Sequence, residues 1–394
     1  MTRSDQQIVI VNGARTPIGR YGGAFKNTPA HELGAVAAKA ALARSAVPAD
    51  AIGEVVMGCV GQVGPDAYNA RRVAVAAGLP VSTPAYTVNR LCGSGLQAIW
   101  SAAMEMRWND VKFTLAGGDE SMTRMPFYDF GARAGYKLGD RALVDGTMLM
   151  LTDPFHHVQM GLTAENVAGR YGISRTDQDE FAAESQRRAA TPAARAAFAE
   201  EIVPVSTGGR HSVEVTVDEH PRPETTVEAL ARLRPAFTEG GTVTAGNAAG
   251  INDGAAAVVL ATRSAAAEHG LTPLVAVEAV ATGALDPDIM GYAPVVALRR
   301  LFEQTGTTPD DIDAIECNEA FAAQAVAVIR DAKLDPDKVN PYGGAIALGH
   351  PVGATGAILA LRLAKHLVRH DLELGVVTMC IGGGQALAAL FRRV

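Results

Sequence analysis

Aromatic residues are scarce, 5% of 394 positions, and there are only four cysteines. Cys59, Cys92, Cys317 and Cys380 lie far apart with no CxxC pair, which excludes a disulfide framework and a zinc knuckle and leaves each thiol to be judged singly. The adjacent pair His156-His157 has no partner at metal-ligand spacing, so no metal is expected. No apolar run reaches the roughly 18 residues of a spanning helix, Met1 to Gln7 is polar, and Phe391 to Val394 carry no lipidation or peroxisomal signal. A soluble, cytoplasmic protein that does not enter a membrane is expected. Dense Lys/Arg runs are also missing and the formal net charge is −7, which excludes nucleic acid as a partner. Neither a GxGxxG after the first strand nor a GxxxxGK[ST] occurs, so the glycine-rich turns support no dinucleotide site and no P-loop.

What the chain has in quantity is Gly, Ala and Val, with 48% hydrophobic and 20% charged residues, the usage of a packed α/β enzyme. Its length implies two core units, or one core with a large insertion. Gln7 to Asn12 reads as a buried strand, His31 to Ser45 as a helix and Glu54 to Val60 as a strand, an alternation that predicts a parallel sheet. Two stretches then repeat one order of elements. In the first, a strand ends at Cys59, LCGSG (Leu91 to Gly95) opens a helix, and the strand Phe113 to Ala116 ends in GGDES. In the second, Asp313 to Cys317 is a strand, GHPVGATG (Gly349 to Gly356) opens a helix, and the strand Gly375 to Met379 ends in CIGGG. Cys59 to Cys92 and Cys317 to His350 both span 33 positions. That register pairs Cys92 with His350 and sets Cys380 against Gly117-Gly118. The expected division is residues 1–121 as a first half, completed by 246–272, an inserted loop domain over 122–245, and a second half over 273–394. A long helix near Thr176 to Phe198 is predicted within the insertion.

Cys92 precedes Gly93-Ser94-Gly95 at a helix start, where the helix dipole favours thiolate and backbone amides can stabilise an oxyanion. A buried free cysteine is ordinarily inert, and Cys59 and Cys317 keep that reading. His350, between Gly349 and Pro351, is placed to activate a thiol. Asn318 follows a strand and precedes a helix, so it reads either as a helix cap or as a residue that orients water.

Through these residues the sequence resembles the thiolase family over essentially its full length. The resemblance rests on VNRLCGSGLQAI (Val88 to Ile99), GGDESM (Gly117 to Met122), TAENVA (Thr163 to Ala168), TVTAGNAAGINDGAAA (Thr242 to Ala257), NEAFAAQA (Asn318 to Ala325), NPYGGAIALGHPVGATG (Asn340 to Gly356) and CIGGGQ (Cys380 to Gln385). Asp153 to Ala168 looks like the bacterial acetoacetyl-CoA and short-chain β-ketothiolases. The resemblance implies a thiolase fold, with duplicated βαβαβαββ halves in a five-layered αβαβα core, and a loop domain over the coenzyme A chain. It implies an acyltransferase that runs the reversible condensation of acyl-CoA with acetyl-CoA and the thiolysis of short 3-oxoacyl-CoA such as acetoacetyl-CoA. Acetyl-CoA, 3-oxoacyl-CoA and CoA are then substrates, with no cofactor, and the chain forms a homodimer or homotetramer.

By the same resemblance Cys92 takes the acyl group, His350 activates it and Cys380 exchanges the α-proton. Asn318 holds a water that forms one oxyanion hole with His350, and the amides of Cys92 and Gly382 form the other. Met160, Met290 and Phe321 match positions that line the acyl pocket, and Arg222 matches a basic residue near the nucleotide end of CoA. Ala249 stands where related short-chain enzymes have a serine touching the pantetheine arm, and Gln159 where they often have histidine. A decarboxylating ketosynthase of the same superfamily is expected to carry His or Asn in place of Cys380. A thiolase-like protein that binds acyl-CoA without turnover is expected to lack Cys92, His350 or Cys380.

Overall fold

The computed structural model describes residues 7–208 and 212–394, so the polar start lies, Gln7 apart, outside the described residues. Ile8–Arg15 forms strand β1, an apolar run buried along nearly its whole length. Helix α1 (Ala30–Ser45), β2 (Glu54–Gly58), α2 (Asn69–Ala77), β3 (Ala85–Val88), α3 (Ser94–Asn109) and β4 (Phe113–Ser121) follow. A long insertion then carries α4 (Met160–Tyr171), α5 (Arg175–Ala189) and α6 (Pro192–Glu201) before the chain returns as β5 (Asn252–Thr262). The second half runs β6 (Val275–Ala284), α7 (Ala293–Thr305), β7 (Ala314–Cys317), α8 (Ala322–Asp331), α9 (Thr355–Arg369), β8 (Leu374–Ile381) and β9 (Gln385–Arg393).

The strands lie in the order β3-β2-β4-β5-β1 and, continuing, β6-β9-β8-β7. The two leaves join where Val9 stands opposite Ala276 and Ile10 opposite Val275. Helices α1 and α2 cover the outer face of the first leaf and α7 the outer face of the second, while α3 and α9 lie between them. The largest apolar cluster fills that middle layer, with Leu96, Ile99 and Met106 of α3 against Ile358, Leu361 and Leu363 of α9. Five layers result, α, β, α, β, α. The expected parallel sheet is corrected: β2 is parallel to β3 and β4, and β7 to β8, while the remaining neighbours are antiparallel. The cause is visible at the end of the second half. Three residues, Gly382 to Gly384, join β8 to β9, too few for the crossover that a parallel pair needs.

Both halves follow the βαβαβαββ order, except that the third strand of the second half shrinks to a single bridge between Val339 and Ile315. Their leading strands carry matching bulges, Ile10/Asn12 against β5 and Val277/Ala279 against β9. Counting outward from the bulges through the ladders pairs Leu260 with Phe391 and Thr114 with Gly375. Helices α3 and α9 cross in the same register. A Cβ on Gly95 would stand 2.7 Å from the Ala357 nitrogen, and one on Gly356 2.3 Å from the Leu96 nitrogen. Gly95 and Gly356 are 261 positions apart, as are Thr114 and Gly375, whereas Cys92 and His350 are 258 apart. The repeat is therefore present but three residues out of step with the one read from the spacing of Cys and His. Cys92 matches Gly353, His350 matches Asn89, and Cys380 matches Asp119.

The single long helix predicted from Thr176 to Phe198 is two helices. Thr191 caps α6 by accepting the Ala194 amide, and Pro192 occupies its first turn, where the missing N–H costs nothing but the ring stops α5.

Candidate active site

Cys92 sits in a tight turn between β3 and α3. Leu91 before it has φ 48°, the left-handed region that a branched side chain seldom occupies, so the turn is held under strain. The bonds that hold it are local. Asn89 accepts the Leu91 amide at 3.0 Å, and the Ser94 hydroxyl donates to the Leu91 carbonyl at 2.6 Å and accepts the Arg90 amide at 2.9 Å. The Cys92 thiol receives backbone N–H bonds from Gly382 and from its own residue. Burial outweighs them and pushes the thiol up to about 11. This corrects the expectation of a thiolate at the helix start: the resting group is a neutral thiol, and two amides do not offset the loss of water.

His350 is buried, and side chains hold it at two points. Its amide donates to Asn252 Oδ1 at 2.9 Å, and Asn252 Nδ2 donates in turn to the Gly19 carbonyl at 2.9 Å. Its Nδ1 lies 2.7 Å from Thr355 Oγ1, whose own proton goes to the Pro351 carbonyl at 2.9 Å. The hydroxyl therefore accepts from Nδ1–H, which leaves Nε2 bare, and Nε2 has no partner in the fold. Burial lowers the imidazole to about 4, so at neutral pH it is uncharged and able to accept a proton. Neither Thr355 nor Asn252 was singled out from the sequence, although both lie within the quoted motifs GATG and GIND.

One cavity of ≈ 390 Å³ brings together Cys92, His350 and Gly382 with Met160, Met290, Phe321 and Ala249, and Arg222 stands on its rim. Gly382 is a place where a side chain does not fit freely, since a Cβ would lie 3.1 Å from Leu91 and 3.3 Å from Met160. The Ala249 amide is already used, donating to the Ala320 carbonyl at 2.9 Å. Cys380 and Asn318 are not on the cavity wall. Cys380 is fully buried at the end of β8, packed with Ala248, Met290 and Phe321. Burial, then the neighbouring Cys92 and Cys317, push its thiol well above the ordinary range.

Asn318 follows β7, and both polar atoms of its buried side chain lack partners. The helix-cap reading is thereby overturned, because α8 begins at Ala322 with Phe321 at the cap position. Glu120 was also missed. Its carboxylate, fully buried, accepts the amides of Val60, Gly61 and Gly353 at 2.9 to 3.0 Å and so ties the end of β2 to the His350 turn. Burial raises it to about 7 against the pull of those amides. His156, read as unpartnered, has the buried carboxylate of Asp153 at 3.0 Å. Among the described residues no group of three or more His, Cys, Asp or Glu could hold a metal ion, and no helix is long and apolar enough to cross a membrane.

A neutral imidazole and a neutral thiol on one apolar cavity, beside an inward amide and a second buried thiol, suit acyl transfer with proton movement. Comparison with known proteins agrees. The thiolase N-terminal domain model matches residues 8–264 and the thiolase C-terminal domain model residues 271–393. A protein named beta-ketothiolase BktB from Cupriavidus necator is 48% identical, covering 100% of both chains. An acetyl-CoA acetyltransferase of the same organism is 45% identical over 98% of this chain and 99% of its own. Among solved structures, the Bacillus anthracis acetyl-CoA acetyltransferase superposes with TM-score 0.96 at 40% identity, covering 98% of this chain and 99% of that one. The human mitochondrial 3-ketoacyl-CoA thiolase in complex with CoA gives TM-score 0.95 at 40% identity over 99% of each chain. The duplicated five-layered core, the cavity that the Cys92 and His350 turns share and these full-length similarities together place this chain in the thiolase family.

Proposed function

We propose that this chain is an acetyl-CoA C-acyltransferase that condenses acyl-CoA with acetyl-CoA and cleaves short 3-oxoacyl-CoA through an acyl group on Cys92. The observation that carries the reading is the pairing on one cavity of the Cys92 thiol with the bare Nε2 of His350. In the first half-reaction His350 takes the thiol proton as the sulfur attacks the thioester carbonyl. The carbonyl charge falls to the amides of Cys92 and Gly382. CoA leaves as its sulfur takes the Cys380 proton, the acyl group remains on Cys92 and His350 keeps the proton it took. In the second, the Cys380 thiolate so formed removes a proton from the methyl carbon of acetyl-CoA, the enolate carbon attacks acyl-Cys92, and the Cys92 sulfur leaves and regains its proton from His350. A water held by Asn318, together with His350, takes the enolate charge. A strongly raised Cys380 thiol rests protonated, the form that thiolysis uses to quench the enolate.

Met160, Met290 and Phe321 line the acyl end and Arg222 the nucleotide end of the CoA path, with Ala249 beside the pantetheine arm. Residues 122–245 form the covering loop domain between halves 1–121 with 246–272 and 273–394. CoA thioesters are substrates and no further cofactor is required. A nucleophile that must stay reduced suits the cytoplasm, and the family reading favours a homodimer or homotetramer.

Incubation with acetoacetyl-CoA is expected to leave an acetyl mass on the peptide containing Cys92, and Cys92→Ser to lower thiolysis by at least ~10³-fold. A fully active mutant with no adduct in the wild type would refute the mechanism. Cys380→Ser is expected to keep the adduct and lose condensation; equal loss of both would contradict that division of labour.

A further inference from the structure

Asn318 has a buried side chain to which the fold gives no hydrogen bond, so whatever aims it must act on its main chain. Three contacts do this. Its own amide donates to the Thr378 carbonyl at 2.9 Å. On one flank, Asn340 grips Cys317 with both ends of its side chain: Oδ1 accepts the Cys317 amide at 2.8 Å and Nδ2 donates to the Cys317 carbonyl at 2.8 Å. The same Nδ2 reaches Glu319 Oε1 at 2.8 Å on the other flank. Asn340 has φ 47°, a left-handed conformation that Asn tolerates better than most residues, which suits it to this position.

Glu319 spends its second oxygen on the Ser185 hydroxyl at 2.7 Å and the Ile346 amide at 3.1 Å, and Ser185 accepts the Gly344 amide at 3.0 Å. Gly344 has no room for a side chain, because a Cβ there would fall 2.2 Å from Glu319 Cδ. Ser185 belongs to α5 of the insertion, and Gly344 and Ile346 belong to the segment leading to His350. Glu319 therefore joins three separate parts of the chain at the residue next to Asn318.

We propose that Asn340 and Glu319 are positioning residues for Asn318, a clamp that sets its amide for the carbon–carbon step and carries to it the placement of helix α5 through Ser185. This rests on the reading of Asn318 given above. None of the three lines the cavity around Cys92, so none is expected to touch substrate.

The test separates the two half-reactions in the purified full-length enzyme. Acyl transfer is read as the acetyl mass on Cys92 after rapid mixing with acetyl-CoA, and the carbon–carbon step as steady-state condensation. Asn340→Ala and Glu319→Gln are expected to leave acylation within about threefold and KM for acetyl-CoA within about twofold, and to lower kcat for condensation by 10- to 100-fold. Asn318→Ala is expected to lose the same step, and Asn318→Ala with Asn340→Ala to lose no more than Asn318→Ala alone, since one residue acts through the other. Losses that multiply in the double variant, or that fall equally on acylation, would overturn the clamp. If Asn318→Ala condenses at the wild-type rate, the oxyanion assignment falls and the clamp with it. Should the Asn340 and Glu319 variants not fold, Ser185→Ala is expected to slow condensation several-fold and Ser185→Thr to restore it. Equal rates for those two would overturn the link to α5.

Discussion

The Cys92 and His350 turns occupy equivalent places in a duplicated fold yet are held in different ways. The Leu91–Ser94 turn of the first half is partly exposed, strained at Leu91 and secured by bonds within its own six residues. The His350 turn of the second half is buried and secured within itself by Thr355 and from a distance by Asn252 and Glu120. On the proposed reading, a nucleophile at Cys92 has to reach substrate and later release it, so local strain and access are tolerable. A base at His350 that presents one nitrogen needs its tautomer and direction fixed by its surroundings. The difference teaches that duplication supplied two similar frames and that side chains around them divided the work.

Removing the two register-mates His350 and Asn89 breaks the comparison most sharply. His350→Ala is expected to lower kcat/KM for thiolysis by about 10² to 10⁴-fold, the usual worth of general acid–base catalysis, and Asn89→Ala by less than about tenfold. Similar losses would mean that the halves are not specialised. A smaller effect is expected of Thr355→Val, which keeps the shape and removes the acceptor for Nδ1–H. About tenfold in kcat with the thermal midpoint little changed corresponds to one lost hydrogen bond of ~1.4 kcal/mol. An unchanged rate would show that Thr355 does not set the tautomer.

The smallest effect concerns stability. Burial raises Asp119 to about 8 and Glu120 to about 7 in the first half and Glu316 to about 8 in the second. Folded pKa values above the unfolded ones mean that the native state holds more protons between about pH 4.5 and 8. Stability is then greatest below that window and falls as pH rises through it. Below about pH 6.5 the depressed imidazoles of His350, His220 and His366 act the other way, since the unfolded chain there binds protons that the native state does not. Thermal midpoints measured from pH 6.5 to 8.5 should decline, and Glu316→Gln should flatten part of the slope. A midpoint that rises across the range would contradict the sign.

Much of this was legible in the sequence. The buried run Ile8 to Val11, the glycine turns and the repeated strand, turn and helix all pointed to two halves, and Cys92, His350 and Gly382 do share one cavity. What failed failed for physical reasons. The parallel sheet was inferred from alternation, which says nothing of a three-residue hairpin such as Gly382 to Gly384. The register was set by matching reactive residues, whereas structural equivalence follows bulges and helix crossings that leave little trace in residue type. Thr355, Asn252 and Asn340 were invisible as positioning groups because a hydroxyl or amide reveals its role only when its partners are in place, and for Asn252 these lie 98 and 233 positions away. The thiol pKa values were misjudged because local motifs carry no measure of burial.

The crossing of α3 and α9 at Gly95 and Gly356 has an electrostatic consequence. Each helix begins where the other begins, so two amino-terminal ends, each worth roughly half a positive charge, meet at the floor between the catalytic turns. A neutral thiol, a neutral imidazole and a neutral thioester feel little of this. Charge that appears in passing, on a sulfur, a carbonyl oxygen or an enolate, feels it at once, because fixed dipoles need no rearrangement to answer it. The backbone alone thus offers a standing welcome to negative charge that lasts only as long as the reaction.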